Sequence, residues 1–282
     1  MNKIPILLYH NFCSGTDSRA DNFTVTFDNF KEQMEYLQKN GFVAVSLEKF
    51  FAEQEYWKEE KKIEDGKEKI EKAVKDTRKK VVLTFDDGDA SNYFFAMPLL
   101  KELGFTATFF VTINEIGKHN KVDWSMVYDL VQNGMGVGSH GLVHTFLTAQ
   151  NNYTLLNELL MSKQILEKYT RKRVDFLSIP QGFYNKRVLA IVKNIGFKAV
   201  GVSDAGFNDF EKEGLFLLRR FTMRKNYRLK VFKSIISGKP AFIISSLENT
   251  RTVLRKALGW QVYDKLRSLK HKTKVKAEDE VK

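Results

Sequence analysis

Short apolar runs and longer amphipathic stretches alternate along most of the chain. The runs at residues 4–9, 43–46, 81–85, 106–111, 136–139, 176–179, 199–202, 215–223 and 241–245 read as strands. Many are apolar at successive positions, the pattern of parallel strands covered by helices on both faces. Between them, residues 30–39, 94–103, 124–132, 155–169 and 187–194 repeat apolar side chains at three- and four-residue steps, which predicts helices. Asn40-Gly41-Phe42, Leu103-Gly104-Phe105, Asn133-Gly134-Met135 and Ile195-Gly196-Phe197 each place a glycine where a helix gives way to a strand. Glycine suits the left-handed position past a last helical turn. Repeated βα order with this many strands predicts an α/β fold. Periodicity leaves both a barrel and a doubly wound sheet open.

Two stretches break the pattern. Residues 58–80 hold 10 basic and 7 acidic side chains, few apolar ones and an Asp65-Gly66 turn signal. Such a segment cannot bury enough apolar surface to pack, so a solvated, partly helical insertion is expected at about 56–80. Further on, Leu254, Leu258, Val262, Leu266 and Leu269 form an apolar stripe flanked by Trp260 and Tyr263, with Arg251, Arg255, Lys256, Arg267 and Lys270 supplying charge. The stripe predicts a basic amphipathic helix that either docks on the main domain or lies on an anionic membrane. The expected organisation is a main domain at 1–250 and a basic helix with a tail at 251–282.

Composition narrows the class. The 282 residues are 43% hydrophobic and 13% aromatic, enough for one large core. The formal charge of +12 raises nucleic acid as a partner, yet residues 250–282 alone carry 10 basic and 4 acidic side chains. No nucleic-acid module accompanies that excess, so no nucleic-acid partner is expected. The one cysteine, Cys13, has no second cysteine to pair with. The first ten residues lack the apolar length and cleavage site of a secretory signal, and no window matches a membrane span. The expected location is cytoplasmic, with peripheral membrane contact if the C-terminal helix binds lipid.

Two motifs carry chemistry. In Val81-Val82-Leu83-Thr84-Phe85-Asp86-Asp87-Gly88 a buried strand ends in two carboxylates and a glycine. Ligands of α/β folds gather at the C-terminal ends of strands. The turn at Gly88 can aim both carboxylates at one site, although an aspartate there also reads as a helix cap. In Gly138-Ser139-His140-Gly141-Leu142-Val143-His144 two of the five histidines stand four apart. Imidazoles at that spacing can converge on one divalent ion, and alone the pair is equally a coincidence.

Together, Thr84-Phe85-Asp86-Asp87-Gly88 and Ser139-His140-x-x-x-His144 resemble the polysaccharide deacetylase family. The likeness runs from about residue 4 to at least residue 221. It implies an irregular (β/α) barrel and a hydrolase acting on the non-peptide C–N bond of an N-acetylated amino sugar. The substrate it implies is a glycan or a glycolipid precursor, and the basic C-terminal helix, if it lies on a membrane, would suit a lipid-linked glycan. It also implies that Asp86 is the general base and that Asp87, His140 and His144 hold one divalent metal ion, commonly zinc. The residue types suit that chemistry, since an acetamide is a poor electrophile. A metal can polarise its carbonyl and lower the pKa of water, and three protein ligands leave positions open.

The sequence departs from the family pattern in two places. The third motif usually begins with an arginine that steadies the base, whereas Ser178-Ile179-Pro180-Gln181-Gly182 stands here. Arg220 is the candidate replacement, and Pro180, Gly182 and Arg220 are the expected substrate-side residues. The family's last motif, Leu-x-x-His, supplies the general acid near the C-terminus. Here His271 lacks that context, and Leu7-Leu8-Tyr9-His10 has the spacing. A barrel is cyclic, so an N-terminal strand can supply the final position. His10 is therefore the expected acid, against the alternative of a structural histidine at a strand end. His119, in a polar loop, is expected to be exposed. Two other functions keep the same fold, an amidohydrolase of a small non-sugar amide and a catalytically idle glycan-binding protein.

Overall fold

The computed structural model describes residues 3–15, 21–64, 78–210 and 215–238, together with Gly259 and Val262. Strands β1 (Lys3–Ile4), β2 (Ile6–Tyr9), β3 (Asn11–Cys13) and β4 (Thr24–Thr26) lead into helix α1 (Phe27–Lys39). Then follow β5 (Phe42–Val45), α2 (Leu47–Glu64), β6 (Lys79–Phe85), α3 (Met97–Glu102), β7 (Thr108–Val111), α4 (Trp124–Gln132) and β8 (Gly136–Ser139). The rest comprises α5 (Asn152–Thr170), β9 (Phe176–Ser178), α6 (Lys186–Ile195), β10 (Ala199–Gly201), β11 (Asn208–Asp209), β12 (Leu217–Leu218), β13 (Phe221–Thr222) and α7 (Leu229–Ile236). No helix among the described residues is long and apolar enough to cross a membrane.

The main sheet runs β12-β10-β9-β8-β7-β6-β2-β13, with β5 also paired to β6. Every pairing in it is parallel, as apolar strands covered by helices predict. Its two end strands are consecutive in sequence, separated by Arg219 and Arg220 alone. The expected single strand at 215–223 is therefore two. Val202 N donates to Leu218 O on one edge, while Met223 N donates to Leu8 O at 2.7 Å on the other. One segment thus bridges both edges and closes the sheet into an irregular (β/α) barrel, which resolves the choice that periodicity left open.

Alternation along the strands sorts the side chains by face. Phe85 and Phe109 stack at 4.7 Å on the α1 side, where Tyr9 and Phe30 join them. On the opposite face Phe110 pairs in register with Gly138 and lies beneath the Arg220 guanidinium. The four glycines expected at helix ends, Gly41, Gly104, Gly134 and Gly196, all adopt positive φ.

Two helices, and the short strands β3, β4 and β11, were not legible from the pattern. Helix α2 begins at Leu47, well before the charged run, and anchors Phe50 on Phe210 and Phe51 on Phe176. The short α7 packs on α1 through Phe232 and Tyr36. The central part of the expected insertion, the expected strand at 241–245 and nearly all of the C-terminal helix lie outside the described residues.

Close approach inside the barrel gives a direct test of this packing. A methyl group on Gly138 would stand 2.4 Å from the Phe110 ring. Gly138→Ala is expected to destabilise the fold by about 1–3 kcal/mol through overpacking. Urea unfolding of the variant beside the wild type measures that loss.

Candidate metal centre and its surroundings

Strand β6 ends where Asp86 N donates to Tyr9 O at 3.0 Å. Asp87 (φ 71°) and Gly88 (φ 59°) then both enter the left-handed region. Two such residues in succession turn the chain sharply, so both carboxylates can face the barrel mouth. The conformation costs Asp87 on the order of 1 kcal/mol, and the surroundings enforce it. Gly88 O accepts from Val122 N at 3.0 Å, and Asp87 O accepts from Lys121 Nζ at 2.9 Å. Neither aspartate of the pair caps the following helical turn. That task falls to Asp89, whose Oδ1 accepts from Ser91 N at 3.0 Å and from Ser91 Oγ at 2.5 Å.

His140 and His144 flank the loop after β8. His140 Nε2 lies 3.1 Å from Asp87 Oδ1, and His144 Nε2 lies 3.3 Å from the same oxygen. His140 Nδ1 lies 2.9 Å from Ser178 O, an acceptor only, so this nitrogen donates and fixes the ring with Nε2 directed at Asp87. His144 Nδ1 lies 3.1 Å from the side-chain nitrogen of Gln181. Both His144 (φ 54°) and Gln181 (φ 60°) are left-handed, so strained backbone gathers at this cluster.

The donor set fits a divalent ion. One carboxylate oxygen and two imidazole nitrogens lie within 4.8 Å of one another. Zinc bonds of about 2.0–2.1 Å in a tetrahedron put neighbouring ligand atoms about 3.3 Å apart, close to the 3.1 and 3.3 Å from Asp87 Oδ1 to the two imidazoles. Electrostatics agree. Burial would raise the Asp87 pKa, but hydrogen bonds to His140 and His144 hold it far below the usual carboxylate range. Burial would lower that of His140, yet Asp86 and Asp87 raise it. A site that holds a proton between carboxylate and imidazole this firmly can hold a cation instead.

Asp86 is engaged differently. Arg220 Nη1 and Nη2 donate to its two oxygens, each at 2.9 Å, in a bidentate pair. Ser178 Oγ donates to Asp86 Oδ2 at 2.7 Å and accepts from Arg220 Nη2 at 2.8 Å. Arg220 Nε donates to Val202 O at 3.1 Å. Burial would raise the Asp86 pKa, but the guanidinium holds it below the ordinary value. Gly201 makes room for this arrangement, since a Cβ there would stand 3.0 Å from the guanidinium. Arg220 thus occupies the place beside Asp86 that the serine at position 178 leaves open.

His10, between β2 and β3, lines a cavity of about 90 Å³ together with Asn11, Asp21, Phe23, Asp87, Asp89 and Lys121. Its ring packs on Phe23 at 4.8 Å, and its buried Nδ1 has no hydrogen-bond partner among the described residues. Burial pushes its pKa below the ordinary histidine value, with Asp87 and Asp86 opposing. Of the three positions expected to touch substrate, Pro180 and Gly182 are buried in the turn that carries Gln181. Arg220 is 1% exposed and committed to Asp86. The open wall belongs instead to Asn11, Asp21, Phe23, Asp89 and Lys121, which no sequence motif had singled out. His119 is exposed, as expected.

Residues 73–200 match the family model described as polysaccharide deacetylase. That segment contains Asp86, Asp87, His140, His144 and Ser178, whereas His10 and Arg220 lie outside it. A candidate polysaccharide deacetylase of Bacillus subtilis, YxkH, is 27% identical over 218 residues, which are 77% of this chain and 70% of that protein. The peptidoglycan-N-acetylglucosamine deacetylase of Bacillus cereus is 27% identical over 128 residues, 45% of this chain and 58% of its own length. Among solved structures, the Streptococcus pyogenes deacetylase PplD in complex with acetate is similar in fold, with a TM-score of 0.69 at 23% identity. That likeness covers 83% of this chain and 98% of the other.

The Asp86–Arg220 pair sets a pH-dependent expectation. Arg220→Leu leaves a buried carboxylate without its partner, which costs about 3–5 kcal/mol at neutral pH. In the wild type the depressed Asp86 pKa adds stability above its unfolded value, lost as pH falls through the folded one. In the variant, burial raises that pKa, so the deficit should shrink on acidification. Urea unfolding between pH 7 and pH 4 checks this, and a constant deficit would count against the pairing.

Proposed function

We propose that this chain, which belongs to the polysaccharide deacetylase family, hydrolyses the N-acetyl group of an amino sugar in a glycan. The observation that carries the reading is the division between two adjacent carboxylates. Asp87 faces two imidazoles, while Asp86 is held apart from that cluster by Arg220 and Ser178. A ligand and a base can therefore coexist within one turn of chain. The relative that acts on peptidoglycan N-acetylglucosamine supports the substrate class.

Asp87, His140 and His144 would hold the metal, and zinc suits one carboxylate and two imidazoles. When bound, the cation polarises the acetamide carbonyl and acidifies water. Asp86 takes a proton from the attacking water as its oxygen bonds to the carbonyl carbon. Arg220 keeps Asp86 ionised in a buried place, so it can accept that proton, though at reduced basicity. His10, on the wall of the same cavity, gives a proton to the leaving nitrogen as the C–N bond breaks. Acetate and a free amino sugar result, and the base and acid then exchange protons with solvent.

The Arg220–Asp86 pair favours an active enzyme over an idle binding protein, because it supplies the contact whose absence from the third motif suggested idleness. The basic, amphipathic sequence at 251–270 supports extending the substrates to lipid-linked glycans. Each lysine or arginine near an anionic surface contributes about 1 kcal/mol of attraction.

Acetate release from N-acetylglucosamine oligomers tests the activity and separates it from hydrolysis of small non-sugar amides. Chelation should abolish release and added zinc should restore it. Asp86→Asn should keep its metal and lose about a hundredfold to ten-thousandfold in rate. His140→Ala or His144→Ala should lose the metal itself. No release from any oligomer, with turnover of a small amide, would overturn the glycan reading.

The acid role of His10 has its own signature. Wild-type kcat/KM should fall with rising pH as His10 loses its proton, and burial moves that fall below the pH of an ordinary imidazole. His10→Ala should fold, bind metal normally, turn over slowly and lack this alkaline limb. A pH–rate profile with the limb intact in the variant excludes the assignment.

A further inference from the structure

Between His140 and His144 lie only Gly141, Leu142 and Val143, and every one of their backbone N–H groups is captured by a side chain. Gly141 N donates to Ser139 Oγ at 3.1 Å, and Ser139 Oγ lies 2.8 Å from Ser162 Oγ of α5. Leu142 N and Val143 N both donate to one oxygen of Glu158, at 2.7 and 2.9 Å. The carbonyls of Gly141 and Leu142 accept from Ile113 N and Asn114 N at 3.2 and 2.9 Å. Glu158 is a buried carboxylate, 4% exposed, one helical turn from Ser162 on the same face of α5. Its oxygen approaches so closely that a Cβ on Gly141 would stand 2.8 Å from it.

We infer that Glu158 is a positioning residue of the metal centre, fixing from α5 the loop that spaces the two imidazoles. The inference rests on the metal reading proposed above. Its physical basis is the cost of arranging the ligands before binding. Free peptide between His140 and His144 samples many conformations, and His144 must also hold a left-handed φ of 54°. A single acceptor shared by two successive N–H groups selects the one bend in which both Nε2 atoms face Asp87 Oδ1. Two hydrogen bonds to one buried, well-placed oxygen hold that bend without the ion. The work falls to one oxygen as an acceptor, so a glutamine at position 158 can still perform it. Alanine cannot, and aspartate is one methylene too short.

The experiment measures zinc affinity of the full apo-chain by competition with a chromophoric chelator, alongside its circular dichroism. Glu158→Gln should bind within about threefold of the wild type. Glu158→Ala and Glu158→Asp should keep native secondary structure and bind about 10–100-fold more weakly, the size typical of lost support behind a ligand. Wild-type affinity in a folded Glu158→Ala or Glu158→Asp chain overturns the inference, as does a Glu158→Gln loss as large as that of alanine. A wild-type chain that binds no zinc overturns the metal reading itself, which distinguishes the two failures.

Discussion

A carboxylate cannot stay ionised inside a protein without a partner, and the pairing of Asp86 with Arg220 is the constraint around which this barrel is organised. The guanidinium contacts Asp86 after β6, Ser178 on β9 and Val202 after β10. It comes from the two-residue step at which the chain leaves β12 and enters β13. The segment that closes the sheet is therefore the segment that neutralises Asp86. Ser178 and Gly201 are small where the arginine must pass, and Phe110 lies beneath its face. Desolvation makes such a pair costly to assemble and more costly to break, so its contribution is more to specificity of arrangement than to net stability.

The same constraint gives two neighbouring aspartates different surroundings. Asp86 is buried and Asp87 half-buried, and both have depressed pKa values, but for different reasons. Asp86 faces a fixed cation that cannot leave. Asp87 faces two imidazoles whose protons a metal can displace. The left-handed pair at Asp87 and Gly88 makes this possible, since in a straight strand adjacent side chains point to opposite faces. Strain recurs at His144 and Gln181, so three of the five left-handed non-glycine residues among the described ones gather at this cluster. Groups from three separate elements enforce it: Lys121 in the loop after β7, Glu158 on α5 and Ser178 on β9.

The cavity beside this cluster has a mixed wall. His10 and Phe23 present rings, while Asp21, Asp89 and Lys121 present charge. His10 is held by packing rather than by a hydrogen bond to Nδ1 among the described residues. A ring positioned in that way depends on β2 and β4, whose register with their neighbours sets where His10 and Phe23 meet.

Much of this was legible in the sequence wherever the cause is local. Apolar runs gave most of the strands, three-and-four spacing gave α1, α4, α5 and α6, and glycine marked helix ends, because each reflects a preference carried within a few residues. Asp86-Asp87-Gly88 and the His140 to His144 spacing were visible for the same reason. The start of α2 was hidden because its charged C-terminal half dilutes the apolar signal of Leu47, Phe50 and Phe51. The break of the expected strand at 215–223 had no local sign, since it answers to Asp204, Leu8 and Asp86, each far along the chain. Nothing around Glu158 marks it in the sequence, and Ser178 was visible only as the position where an arginine is missing. Their roles depend on what stands opposite, Arg220 across the barrel and the backbone of Leu142 and Val143 beside α5. The sequence by itself determined which chemical groups were available. Closure of the barrel decided which of them met, because a buried charge is defined by its neighbours in space.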